Sequence, residues 1–127
     1  MDPVDPDGRN ILHLAVSNAE EFLRLFYEAE DKNPKDIHGR TPLHEAASRG
    51  CEKICKIIIE SVKDANPKDS EGSTPLHQAV INGHFDLYKL IREKAENKNP
   101  KDQRGRTPLH EAAIWGHFQI FTWIFER

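Results

Sequence analysis

Thr41-Pro42-Leu43-His44-Glu45-Ala46 returns as Thr74-Pro75-Leu76-His77-Gln78-Ala79 and again as Thr107-Pro108-Leu109-His110-Glu111-Ala112, each time 33 residues on. Upstream of each, Asn33-Pro34-Lys35-Asp36 keeps the same step through Asn66-Pro67-Lys68-Asp69 and Asn99-Pro100-Lys101-Asp102. A degenerate first copy precedes them. Asp5-Pro6-Asp7-Gly8 matches Asp36-Ile37-His38-Gly39, and Asn10-Ile11-Leu12-His13 matches the Thr-Pro-Leu-His at an offset of 31. One of its missing residues is placed in the turn between its helices, the other just before Asn33. A fixed period of this kind marks a stack of like units. Four are expected, over about 2–32, 33–65, 66–98 and 99–127 of one domain spanning 1–127.

Each part of the unit has a physical reading. Asp36-x-x-Gly39, Asp69-x-x-Gly72 and Asp102-x-x-Gly105 fit type I turns, with Asp first and Gly last. Thr41, Thr74 and Thr107 suit N-caps, and the proline after each suits N1, where no N–H is needed. A first helix buries Leu43, Ala46 and Ala47, matched by Leu12/Ala15/Val16, Leu76/Ala79/Val80 and Leu109/Ala112/Ala113 at i, i+3, i+4 spacing. Gly50, Gly83 and Gly116 are expected to end that helix. A second helix repeats the spacing with larger residues: Phe22/Leu25/Phe26, Ile54/Ile57/Ile58, Leu87/Leu90/Ile91 and Ile120/Trp123/Ile124. So short a helix pair cannot bury its own apolar stripe, so each unit must stack on the next.

That explains a composition otherwise odd for a globular core. The 127 residues are 37% hydrophobic and 31% charged, with 8 Pro and 7 Gly. The turn formers are periodic joints, and about six core residues per unit suffice. Met1 to Asn10 has no apolar core of a secretory signal. Ile114 to Phe125 is too short for a membrane span of about 20 residues. Asn33, Asn66 and Asn99 are each followed by proline, so they are not glycosylation acceptors. Cys51 and Cys55 make no disulfide framework. An intracellular protein, cytoplasmic or nuclear, is expected, without membrane insertion.

The Asp-x-x-Gly turn, the Thr-Pro-Leu-His-x-Ala stretches, the Gly-His at 83 and 116 and the 33-residue step resemble the ankyrin-repeat family over essentially the whole chain. The resemblance implies an all-α fold, an α-solenoid of four hairpin–helix–turn–helix repeats. It also implies that His13, His44, His77 and His110 hydrogen-bond within and between repeats. The first copy, with Asn10-Ile11 for Thr-Pro and no helix-ending Gly, reads as an N-terminal cap. The last one is surrounded by Trp115, Phe118, Phe121 and Phe125, where a terminal cap should be polar. It reads as an interrupted array whose C-terminal face frays first or self-associates.

Catalytic and metal chemistry find no foothold. His84 and His117 fit the start of the second helix, and only His38 of the seven histidines lies outside the framework. His44-Glu45 and His110-Glu111 begin like a zincin motif, but Ser48 and Ile114 stand where its second histidine belongs. Cys51 and Cys55 are four apart, with no further zinc ligands in sight, and read as packing thiols. No phosphate-binding loop, nucleophile elbow or fixed carboxylate pair occurs. The expectation is a non-enzyme with no cofactor and no metal.

Function should therefore sit at positions the fold leaves free. The resemblance implies partner binding in the concave groove formed by hairpin tips and first helices. The free positions taken as partner-binding are Ile37, His38 and Arg40, Ser48 and Arg49, Glu71, Ile81 and Asn82, Arg104 and Arg106, Ile114 and Trp115. Trp and Arg are enriched at binding hot spots. The net charge of −3 is uneven: residues 1–33 carry 3 basic and 8 acidic groups, 34–127 carry 15 and 13. That favours a partner with acidic patches toward the C-terminal tips and gives no argument for nucleic acid. The partner is expected to be another protein, and the chain a monomer with weak self-association through its last repeat. A regulatory or spacer segment of a larger signalling or channel protein is the alternative, with an engineered or truncated binder a further one. The resemblance also makes Asn33, Asn66 and Asn99 candidates for asparagine hydroxylation, the first two preceded by Asp31 and Asp64.

Overall fold

A computed structural model describes residue 6 and residues 8–127. The expected first turn therefore lies partly outside the described residues, at Asp5 and Asp7. Helices follow in pairs: α1 (Ile11–Leu14) continues as a 3-10 turn (Ala15–Ser17) before α2 (Ala19–Glu28). Then come α3 (Pro42–Arg49) with α4 (Glu52–Ser61), α5 (Pro75–Ile81) with α6 (Phe85–Lys94), and α7 (Pro108–Ile114) with α8 (Phe118–Phe125). Among the described residues no strand occurs. The fold is an all-helical solenoid, with α3, α5 and α7 stacked as an inner layer and α2, α4 and α6 as an outer one.

Capping follows from the Thr-Pro-Leu-His stretch. Thr41 Oγ1 accepts the His44 N–H at 3.3 Å, while the Thr41 N–H donates to His44 Nδ1 at 3.1 Å. The same reciprocal pair closes at Thr74–His77, Thr107–His110 and, with Asn10 as cap, at His13. Each cap stabilises its helix by about 1 kcal/mol. The three glycines ending α3, α5 and α7 have φ near +74°, a left-handed backbone that side chains disfavour. Repeat 1 has no such glycine. Its first helix accordingly breaks after Leu14, and Asn18 caps α2 instead, accepting from the Glu21 N–H.

The expected core is largely present, with Ala15, Leu25, Ile57 and Leu90 only half-buried against it and repeat 4 more open. Leu43, Ala46, Ala47, Ile54 and Ile58 are buried, as are Leu76, Ala79, Val80, Leu87 and Ile91. In repeat 4 the same stripe opens: Ala112 and Ile120 are buried, Leu109 is half-buried and Ala113 is exposed. Burial at these positions comes from the following unit, and no residue described here packs on α7 and α8 from that side. Cys55 is fully buried and Cys51 half-buried. Cys51 precedes α4 at its N-cap position rather than lying on the helix.

The second nitrogen of each motif histidine joins neighbouring repeats. His13, His44 and His77 Nε2 reach the carbonyls of Arg40, Ser73 and Arg106 at 2.8, 3.0 and 2.8 Å. His110 keeps its bond to Thr107 but has no partner at Nε2 among the described residues. The tips are linked as well, through Ser70 N–H to the His38 carbonyl and Gln103 N–H to the Glu71 carbonyl, at 2.8 and 2.9 Å. His84 and His117, not foreseen as joints, donate from Nε2 to the Ser48 and Ile81 carbonyls of the preceding repeat at 3.2 and 3.0 Å.

Candidate functional site

One oxygen of each turn aspartate pins its own hairpin tip. Asp36 Oδ1 accepts from the His38 and Arg40 N–H groups, Asp69 Oδ1 from Glu71 and Ser73, and Asp102 Oδ1 from Arg104 and Arg106. Side chains of residues 38, 71 and 104 are thereby held at matching places on successive tips. Between tips and inner helices runs a cleft of about 280 Å³. Arg40, Glu71, Ile81, Arg104, Arg106 and Trp115 of the expected binding residues line it, joined by Asp69, Ser73, Gln78, Asp102, Gln103 and Glu111. Ile37, His38, Ser48, Arg49, Asn82 and Ile114 lie outside its lining.

Several of these positions are not free. Arg40 is half-buried, its Nε 3.2 Å from Glu45 and a terminal nitrogen 3.6 Å from Asp69 of the next tip. Arg49 completes this ion network with its Nε 4.0 Å from the other Glu45 oxygen. Asn82 Nδ2 donates to Ser48 Oγ at 3.3 Å and to the Gln78 carbonyl at 2.9 Å, so this pair tightens the α3–α5 contact. Ile81 is half-buried. By contrast Ile37, Trp115 and Ile114 are 64%, 55% and 53% exposed. Arg104 and Arg106 form no ion pair among the described residues.

Two residues weighed in the sequence only as parts of a failed zincin motif engage expected binding residues. Glu45 and Glu111 each stand i, i+4 from the next outward-facing residue, Arg49 or Trp115, a spacing that brings helix side chains together. Glu111 is buried, and its Oε2 accepts the Trp115 indole N–H at 2.9 Å. Gln78 holds the corresponding place in repeat 3 and donates to Ser73 Oγ at 3.1 Å.

Burial sets the protonation of the core groups. It holds His44 down at about 4, outweighing the Ser73 carbonyl that favours the charged ring. It pushes both thiols up, Cys55 further than Cys51. Deprotonation, and with it nucleophilicity, is suppressed. No group of three or more metal-ligating side chains occurs among the described residues.

A larger hollow of about 710 Å³ opens beneath the inter-repeat loops, lined by Lys35, Lys63 and Lys68 together with Asp31, Asp64, Asn33 and Asn66. Here Asp31 and Asp64 accept the N–H of Asn33 and Asn66 at 3.0 and 2.9 Å, a turn-forming role. Lys68, exposed, donates to the Lys101 carbonyl at 3.1 Å. Charges of both signs alternate there.

A family model described as ankyrin repeats in three copies matches residues 1–69 and again 60–127. The chain belongs to the ankyrin-repeat family. Ankyrin repeats are protein-interaction modules. Over 57 residues the chain is 40% identical to protein phosphatase 1 regulatory subunit 12A of Mus musculus, and equally to that of Rattus norvegicus. The matched stretch covers 43% of this chain and 6% of each relative, so the ankyrin stack spans a small part of those proteins' length. Among the described residues no helix is long and apolar enough to cross a membrane.

Proposed function

We propose that this chain is a non-catalytic protein-recognition module that holds a partner protein in the groove between tips and inner helices of repeats 2 to 4. The observation that carries the reading is the convergence of Ile81, Arg104, Arg106 and Trp115 on one cleft, with a half-exposed tryptophan at its end. Large aromatic and arginine side chains supply most interface energy, and hairpins pinned by their own aspartates lose little entropy on binding. The similarity to a phosphatase regulatory subunit supports the second reading, in which such a module is one segment of a larger regulatory protein. The two are compatible, since a segment can regulate by holding a partner.

The experiment is affinity capture with the intact chain from a cell extract, repeated with W115A/R104Q/I81K and with K53E/K56E on the exposed face of α4. Groove substitutions should remove specific partners that the α4 variant retains. Partners surviving every groove substitution would overturn the reading.

A further inference from the structure

Repeats 2 and 4 carry the same pair, Arg40 with Glu45 and Arg106 with Glu111, yet only the first is formed as an ion pair. The two repeats differ at the position one helical turn further on. In repeat 2 it holds Arg49, a second cation facing Glu45. In repeat 4 it holds Trp115, whose indole N–H engages Glu111 Oε2 at 2.9 Å. Arg40 also gains Asp69 from the following tip, a partner with no counterpart for Arg106 among the described residues. The Arg106 guanidinium, half-buried at the wall of the cleft, has no carboxylate within ion-pair distance among the described residues. Arg104 differs in being exposed on the tip; its main-chain N–H is bonded to Asp102 and its guanidinium forms no ion pair among the described residues.

A partly desolvated guanidinium without a counter-charge binds carboxylates strongly, through charge-assisted and often bidentate hydrogen bonds. The exposed Trp115 ring and the half-buried Ile81 side chain adjoin these cations in the same lining. We propose that the repeat-4 end of the groove recognises an acidic residue beside an apolar one on its protein partner. The carboxylate takes Arg104 and Arg106, and the apolar side chain covers Trp115 and Ile81. This rests on the groove reading above and adds the partner's chemistry to it. The cleft's own carboxylates set the register. Asp69 is held by Arg40 and two backbone N–H groups, Asp102 by backbone N–H groups and Glu111 by Trp115. Glu71 stands exposed on the preceding tip and repels a second acid there, so the partner's acidic residue is confined to the repeat-4 end.

The test uses a random peptide display library selected on the immobilised full chain. Enriched peptides should pair Asp or Glu with a nearby Trp, Phe or Leu. R104Q/R106Q, whose folding is checked by its melting point, should weaken them about tenfold, the equivalent of roughly 1.4 kcal/mol, and added salt should weaken the native chain likewise. Trp115→Phe keeps an aromatic ring but removes the indole N–H that Glu111 Oε2 accepts, which draws Arg106 toward that carboxylate and should cost acidic peptides several-fold. Neutral or basic peptides that I81K still displaces would overturn this inference and leave the groove reading standing. Peptides indifferent to every groove substitution would overturn both, and failure to enrich any peptide over a chain-free control would overturn the inference.

Discussion

His44 Nε2 lies 3.0 Å from the carbonyl oxygen of Ser73, 29 residues on and in the next repeat. Its other nitrogen accepts the Thr41 N–H, so the ring is committed as the neutral Nε2–H tautomer. A proton on Nδ1 would oppose that N–H and charge a group with no access to water. Burial accordingly holds its pKa near 4, below the ordinary 6.5. Between these values the unfolded chain binds a proton that the folded chain refuses, so stability falls as pH falls through this window. From pH 7 to pH 5 the loss from this residue is about 2 kcal/mol. Urea midpoints across that range should show it, and His44→Gln should flatten the slope. An unchanged slope in the variant would contradict the assignment.

Gly50 and Gly116 share a left-handed backbone but differ in surroundings. A Cβ on Gly50 would lie 2.7 Å from the His84 ring, whereas one on Gly116 meets nothing within 4 Å. Gly116→Ala should cost about 1 kcal/mol, the backbone penalty alone. Gly50→Ala should cost about 1 kcal/mol more, because moving the ring sacrifices its bond to Ser48. Adding His84→Ala should relieve the clash but not the backbone penalty, and thermal denaturation of the double variant separates the two.

Neutralising the two like-placed arginines should have unequal effects. Arg40→Gln strands Glu45 and Asp69 and should lower stability by about 1 kcal/mol, while Arg106→Gln should stay within about 0.5. Equal losses in chemical denaturation would mean that Arg106 is paired in solution.

Much of this was legible in the chain itself, for a physical reason. Caps, left-handed glycines and apolar spacing act within a few residues, so Thr41, Gly50 and the Leu43/Ala46/Ala47 stripe announce themselves locally. The groove residues divide differently. Arg40 and Ser48 look free in sequence because their partners Asp69 and Asn82 lie in the next repeat. Trp115 reads as a surface aromatic, and only the helical placement of Glu111 one turn before it reveals the bond. Outward-facing positions become committed or free according to what the adjacent repeat offers, which a repeat-by-repeat reading does not weigh.

The two thiols should differ in accessibility. Burial suppresses both thiolates, and Cys55 is sealed beneath the outer helices. Iodoacetamide at neutral pH should label Cys51 slowly and Cys55 only in denaturant, as read by mass spectrometry. Early labelling of Cys55 in the folded protein would contradict this packing.

The open side of repeat 4 should be the first to loosen. Phe118 and Phe125 are 72% and 70% exposed, and local stability follows buried contact. Amides of α8 should exchange with deuterium faster than those of α4, and dilution should reveal any weak self-association through this apolar face. Repeat 4 emerging as the best-protected unit of a monomer would refute the expectation.

The glycine–histidine joints also carry an ordering rule. The ring of His84 sits over Gly50 and that of His117 over Gly83, whereas repeat 2 meets repeat 1, which lacks the helix-ending glycine, with Cys51 in the histidine's place. Each unit thus presents a plug on one side and a socket on the other, and the inventories differ. Repeats 3 and 4 own both and could trade places at this joint. Repeat 2 has the socket without the plug, and repeat 1 has neither. Shuffling the units would therefore leave empty sockets or colliding rings in most permutations, so their serial order is written into the joints themselves.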